Sequence, residues 1–284
     1  MPDATVRLTE IGWIAHDALA RTGGRAHVTA SLTRSAYLDA GGELIWLADA
    51  AAPRHGRASI ADSSVAWPPV GQAIVLDVAN AAVWRPEHVP TAEARVVADG
   101  ARALLARIDD VGIARGLATL LVDQPLVFPI DRVAPAARAL ATASLDDDTD
   151  AAIRAAADLR GVGPGLTPAG DDFVGGLFFT RVVLSAGPVQ ERWRDAGAMV
   201  AERARHVTHP VSAVLLGDLV SGRAHEPLHG LARALAVGAS PTTLIDAARR
   251  LARLGHSSGW DMLAGVVLSV AEPACWHPGC IPPG

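Results

Sequence analysis

The feature that most constrains this chain is a change of grammar near Thr91. Before it, short apolar or β-branched runs, Arg25–Leu32, Leu44–Asp49 and Gln72–Val78, are separated by Gly23-Gly24, Gly41-Gly42 and Pro68-Pro69. That spacing is the signature of strands and tight turns. After it, alanine-rich segments repeat apolar residues at three- and four-residue intervals, the period of amphipathic helices. Helices are expected over Ala94–Ile108, Ile113–Leu121, Ala134–Ala143, Thr149–Arg160, Asp171–Ser185, Val189–Arg205, Pro210–Leu219, Pro227–Ala236, Pro241–Leu254 and Ser258–Ala271. A further short helix fits Ala15–Leu19. The expected class is α+β: a small β-rich domain, barrel or sandwich, over residues 1–92, then a mainly helical domain over 93–284.

Composition narrows the function. Half of the 284 residues are hydrophobic, enough for a sizeable core, and the net charge is −5 with no basic run. Nothing favours a nucleic-acid partner. Met262–Ala271 is an apolar run far below the ~20 residues of a membrane span. The N-terminus lacks a signal-peptide layout, so a cytoplasmic protein is expected. All 25 basic residues are arginine. The absence of lysine removes Schiff-base chemistry and the P-loop lysine. The two cysteines, Cys275 and Cys280, fit reduced thiols in a tail better than a zinc site.

The most informative segment is Arg160–Phe179, RGVGPGLTPAGDDFVGGLFF. Gly161, Gly163 and Gly165 mark a loop between two helices. A glycine-rich loop running into a helix N-terminus exposes backbone N–H groups beside the positive end of the helix dipole, which suits an anion. No lysine follows it and GxGxxG is absent, so it is neither a Walker loop nor a dinucleotide fingerprint. Thr167, Asp171 and Asp172 at its exit could hold a divalent cation, magnesium for instance, bridged to a phosphate. One of the two acids also fits a helix cap; the second is not explained by capping.

A second segment repeats this design. Gly170, Asp172 and Gly176 align with Gly259, Asp261 and Gly265 at a constant offset of 89 residues, and Thr167 falls opposite His256. The expectation is a pseudo-symmetric helix pair with both N-termini aimed at one pocket. A third polar cluster, Arg203–Ser212, brings Thr208 or His209 to a helix cap ahead of Pro210 and adds Ser212. His206 suits a hydrogen-bonded helix end, and Arg203 and Arg205 are candidate partners for substrate oxyanions. Asp146, Asp147 and Asp148 read as a solvated helix start.

GVGPGLTPAGDDFVGG, followed by Thr208–Ser212 and by GHSSGWDMLAG at Gly255–Gly265, resembles the AllH-type subunit of oxamate carbamoyltransferase. That family is long catalogued as a domain of unknown function, and its wording is close to GLGPGLTPSGDD. Here Ala169 stands for the usual serine and Val162 for leucine, so one loop hydroxyl is missing. The resemblance covers mainly residues 155–270. It implies a multi-subunit enzyme that exchanges a carbamoyl group between oxalurate and phosphate, giving oxamate and carbamoyl phosphate, with a synthetase-like chain among its partners.

Such chemistry needs an anion cradle and oxyanion stabilisation. Asp172, Asp261 and His256 are the candidate catalytic residues. Gly163, Gly165, Thr167, Gly170, Asp171, Thr208, Ser212, Ser257, Ser258 and Gly259 are the candidates for binding phosphate, carbamoyl phosphate or an oxamate-like acid. No Ser-His-Asp triad is readable. Two alternatives stand beside this reading: a non-catalytic scaffold subunit, and a magnesium-dependent phosphohydrolase built on the aspartates.

Overall fold

The computed structural model describes residues 4–62, 67–122, 124 and 127–271. Cys275 and Cys280 lie outside the described residues. The chain divides into two compact units, residues 1–87 and 88–284.

In the first unit the strands are β1 (Ala4–Gly12), β2 (Arg25–Ser31), β3 (Ser35–Ala40), β4 (Glu43–Ala48), β5 (Ala58–Ala61), β6 (Ala73–Asp77) and β7 (Ala82–Trp84), with helix α1 (Trp13–Thr22) after β1. The sheet runs β5-β4-β3-β2-β6-β1-β7, and β1 also pairs with β5. That extra pairing closes six strands into a barrel and leaves β7 at an edge beside β1. β6 lies parallel to the first half of β1, and β7 takes over beside its last residues. β3 and β4 are joined by Gly41-Gly42, both at positive φ (67° and 86°), as a tight hairpin demands. Alternate residues point inward: Leu8, Val28, Leu38, Ile45, Leu47, Ile74 and Leu76 meet Ala15, Ala18 and Leu19 of α1 in one core.

The three expected strands are present as β2, β4 and β6, with β1, β3, β5 and β7 in addition. β5 is only four small or aliphatic residues, all buried, and carries no alternation to read.

The second unit contains α2 (Ala94–Leu105), α3 (Ile130–Leu145), α4 (Thr149–Leu159), α5 (Ala169–Leu184), α6 (Gly187–Ala204), α7 (Pro210–Val220), α8 (Glu226–Ala236), α9 (Pro241–Ala252) and α10 (Ser258–Leu268). Their starts follow local chemistry. Asp148 accepts from the amide of Ala151, and Ser240 from that of Thr243, capping α4 and α9. The ring of His209 accepts from the amide of Val211, with Pro210 opening α7.

The helix expected at Ile113–Leu121 is instead a 3-10 segment, Gly116–Leu121. Gly112 and Gly116 sit at φ 141° and 58°, which breaks an α-helical path. Asp147 also departs from the expected solvated start. Its carboxylate accepts from Arg181, Arg192 and the indole of Trp193, binding the α3–α4 corner to α5 and α6.

α5 and α10 form the centre of this unit. Every residue of α5 from Ala169 to Thr180 is buried, as is all of α10 from Gly259. Helices apolar on all sides belong inside a bundle. The contact between them is the most extensive of the unit. The architecture is thus the expected α+β: a closed barrel followed by a helical unit.

Candidate functional site

The contact between α5 and α10 is built on two glycines. A Cβ on Gly176 would come well inside 3.0 Å of the Met262 carbonyl, and one on Gly265 equally close to the Phe173 carbonyl. Each helix therefore presses its own glycine against the other's backbone. The approach is reciprocal, as the offset of 89 residues anticipates.

The symmetry extends to the turns that lead into these helices. The amide of Gly170 donates to the Val162 carbonyl at 2.9 Å, and that of Gly259 to the Leu254 carbonyl at 3.0 Å. The amide of Asp172 donates to the Pro168 carbonyl, and that of Asp261 to the Ser257 carbonyl. A Cβ at Gly170 would collide with the carbonyl of Leu159, one at Gly259 with that of Leu251. Gly170 and Gly259 are thus required for close packing, and their N–H groups are taken internally.

Asp172 and Asp261 occupy equivalent first-turn positions and are brought together. Asp172 is 6% exposed and Asp261 fully buried. In each, Oδ2 has no hydrogen-bond partner. Oδ1 of Asp261 accepts from the amide of Leu117 at 2.6 Å. Burial pushes the Asp172 carboxyl well above the usual range, and the Asp261 charge and, less strongly, the Asp171 charge add to this, against the opposing pull of the Ser258 and Thr167 hydroxyls. Burial lifts Asp261 to about 7, against the opposing pull of the Leu117 amide and the Ser257 hydroxyl. Two like charges sharing a dry site favour retention of a proton.

Above the pair, the hydroxyls of Thr167 and Ser258 meet at 3.0 Å, joining the two turns. Both residues are partly exposed, so the bridge stands between solvent and the carboxyls. Among the described residues, no backbone carbonyl takes up the amides of Gly163, Gly165, Leu166 and Thr167 in the long turn, or of Gly255, His256, Ser257 and Ser258 in the short one. These amides are what the junction offers a ligand.

Other sequence candidates have different employment. Asp171 is buried and satisfied: Oδ1 accepts from the Gly161 amide at 2.8 Å, and Oδ2 accepts from Thr208 and, at 2.6 Å, from Ser212. The Thr208–Ser212 pair, expected to bind substrate, thus fastens α7 to the long turn through Asp171. His256 is exposed, and its carbonyl accepts from Nη1 of Arg115 at 3.2 Å. Arg205 pairs with Glu202 on its own helix. Among the described residues, no group of three or more His, Cys, Asp or Glu side chains converges as a metal site.

Sequence reasoning missed the third wall of the site, Arg115-Gly116-Leu117. A Cβ at Gly116 would fall inside 3.0 Å of the Asp261 carboxyl. A glycine within a segment otherwise readable as a helix was the available signal.

A family model described as oxamate carbamoyltransferase subunit AllH matches residues 159–270. The matched stretch runs from the end of α4 past the end of α10 and contains both turns, Asp172, Asp261 and the Thr208–Ser212 pair. It is the family that the glycine-rich motifs resemble. No solved structure matches the chain. Among the described residues, no helix is long and apolar enough to cross a membrane.

Proposed function

We propose that this chain is a subunit of a cytoplasmic carbamoyltransferase-type complex, and that the junction of its two turns binds a small anionic substrate. Phosphate, carbamoyl phosphate and an oxamate-like acid are the ligands considered. The observation that carries this reading is the hydroxyl bridge Thr167–Ser258 standing over two buried carboxyls, each with an unpartnered oxygen.

Unpartnered polar atoms at that depth are rare in a merely structural packing device. A protonated carboxyl can donate to a carbonyl or phosphoryl oxygen, while free amides at both helix N-termini accept the negative charge. The chemistry that carbamoyl transfer demands, an oxyanion held in a preorganised polar setting, matches this donor set. The family match supports the assignment to a complex, in which a synthetase-like chain would be a partner. On this reading residues 93–284 are the functional domain, and Asp172 and Asp261 are its central acids.

The test is calorimetric titration of the full chain with phosphate, carbamoyl phosphate and oxamate, each with and without Mg²⁺. Saturable binding that a Thr167→Val/Ser258→Ala double variant loses is the expected result. An inert chain, together with Asp172→Asn leaving the assembled complex fully active, would instead make it a scaffold.

A further inference from the structure

We infer that Arg115 anchors the anionic end of the ligand at the turn before α10, an assignment that rests on the reading of the site given above. Three placements support it. The backbone beside Arg115 is locked to the site, because the Leu117 amide is bonded to Asp261 and Gly116 leaves no room for a Cβ against that carboxyl. The side chain is exposed, and Nη1 donates to the carbonyl of His256, which sets the guanidinium against the 255–258 turn, whose amides meet no backbone carbonyl among the described residues. No carboxylate neutralises it among the described ion pairs.

The site beneath has independent marks of a ligand. Oδ2 of Asp172 and Oδ2 of Asp261 are buried without partners, and Oδ1 of Asp261 takes the Leu117 amide, two residues along the chain from Arg115. A guanidinium that uses one N–H on a carbonyl keeps the rest of its fork for a carboxylate or phosphate. In a chain without lysine, an arginine must supply any cationic clamp formed by a side chain. Arg203 and Arg253 are exposed as well, but no described bond sets either against the 255–258 turn. Arg160 is half-buried and donates to the Val200 carbonyl, and Arg205 pairs with Glu202. The shared ligand chemistry is an oxyanion, and it can be a carboxylate or a phosphate.

The experiment compares wild type, Arg115→Gln and Arg115→Lys as full chains. Each is titrated with oxamate and, separately, with inorganic phosphate, at low and moderate salt. The melting temperature of each free chain is the folding control. The expected result is binding about tenfold weaker or more in Arg115→Gln, with a reduced salt dependence. Arg115→Lys recovers part of the affinity, because the charge returns without the fork. Free-chain melting should stay within a few degrees of wild type, as befits an exposed side chain. The probe whose affinity falls furthest identifies whether carboxylate or phosphate sits on Arg115. Wild-type binding that Arg115→Gln matches within twofold for both probes overturns the role of Arg115 and leaves the site standing. Absence of binding by wild type itself overturns the site and this inference together.

Discussion

The turn before α5 and the turn before α10 lead into the same pair of crossing helices, yet they are held in different ways. The long turn is fastened by Asp171, which ties the Gly161 amide to Thr208 and Ser212. The short turn has Trp260 at the equivalent place and is walled by Arg115-Gly116-Leu117 instead. The consequence falls on the two acids. Asp261 receives a backbone amide on Oδ1, which opposes its rise to about 7, whereas Asp172 faces the Asp261 charge, which adds to the rise that burial causes. One scaffold used twice thus sets its two carboxyls in different surroundings.

The shared part of the design is the most fragile. Gly176→Ala and Gly265→Ala each drive a methyl into the opposing backbone, and each should cost about 3 kcal/mol or more, enough to abolish cooperative unfolding in a marginal chain. Urea denaturation of both variants checks this. A well-folded, near-wild-type variant at one site only would break the symmetry between the helices.

The buried acids should be visible in pH dependence. A buried carboxyl with a raised value keeps its proton while the unfolded chain releases its own. Stability from such a group is therefore greatest below about pH 4 and falls as pH rises toward the folded value, about 7 for Asp261. The difference in unfolding free energy between wild type and Asp261→Asn should shrink or reverse by a few kcal/mol across that window. For Asp172→Asn the sign is the same, since burial raises that carboxyl too. His225 and His229, lowered to about 4 by burial, penalise acid conditions in all of these chains and cancel in the difference. A difference that stays flat across the window would contradict the raised value of Asp261.

The distinct part of the long turn gives a smaller effect. Asp171→Ala strands a backbone amide and two hydroxyls and should lose about 2 kcal/mol by chemical denaturation. The smallest effect on stability belongs to Thr167→Val, about 1 kcal/mol or less, because its bridge is partly exposed.

Much of this was legible in the sequence, for reasons that differ between elements. The bundle helices carry a 3.6-residue pattern and explicit punctuation, such as Ser240-Pro241 and Gly255, so their positions follow from local chemistry. The duplication was readable because Gly-Asp-Gly has to recur at fixed spacing when two backbones touch. The barrel closure was not readable, since β1 meets β5, β6 and β7 only through pairings distant in sequence. Asp171 and Asp172 look alike as a dipeptide. Only the fold turns one toward α7 as a clamp and the other toward Asp261. The part played by Leu117 was hidden for the same reason, since a backbone amide 144 residues away leaves no mark in composition.

The central claim is that the two turns meet to receive a small anion, and backbone ¹⁵N NMR tests it most directly. Titration with oxamate or phosphate should shift the amides of Gly163, Gly165, Thr167 and His256–Ser258 in a saturable way. The amides of Gly170 and Gly259, already bonded to carbonyls, should move far less. Saturable shifts clustered elsewhere in the chain, or none at these amides at millimolar ligand, would contradict the account.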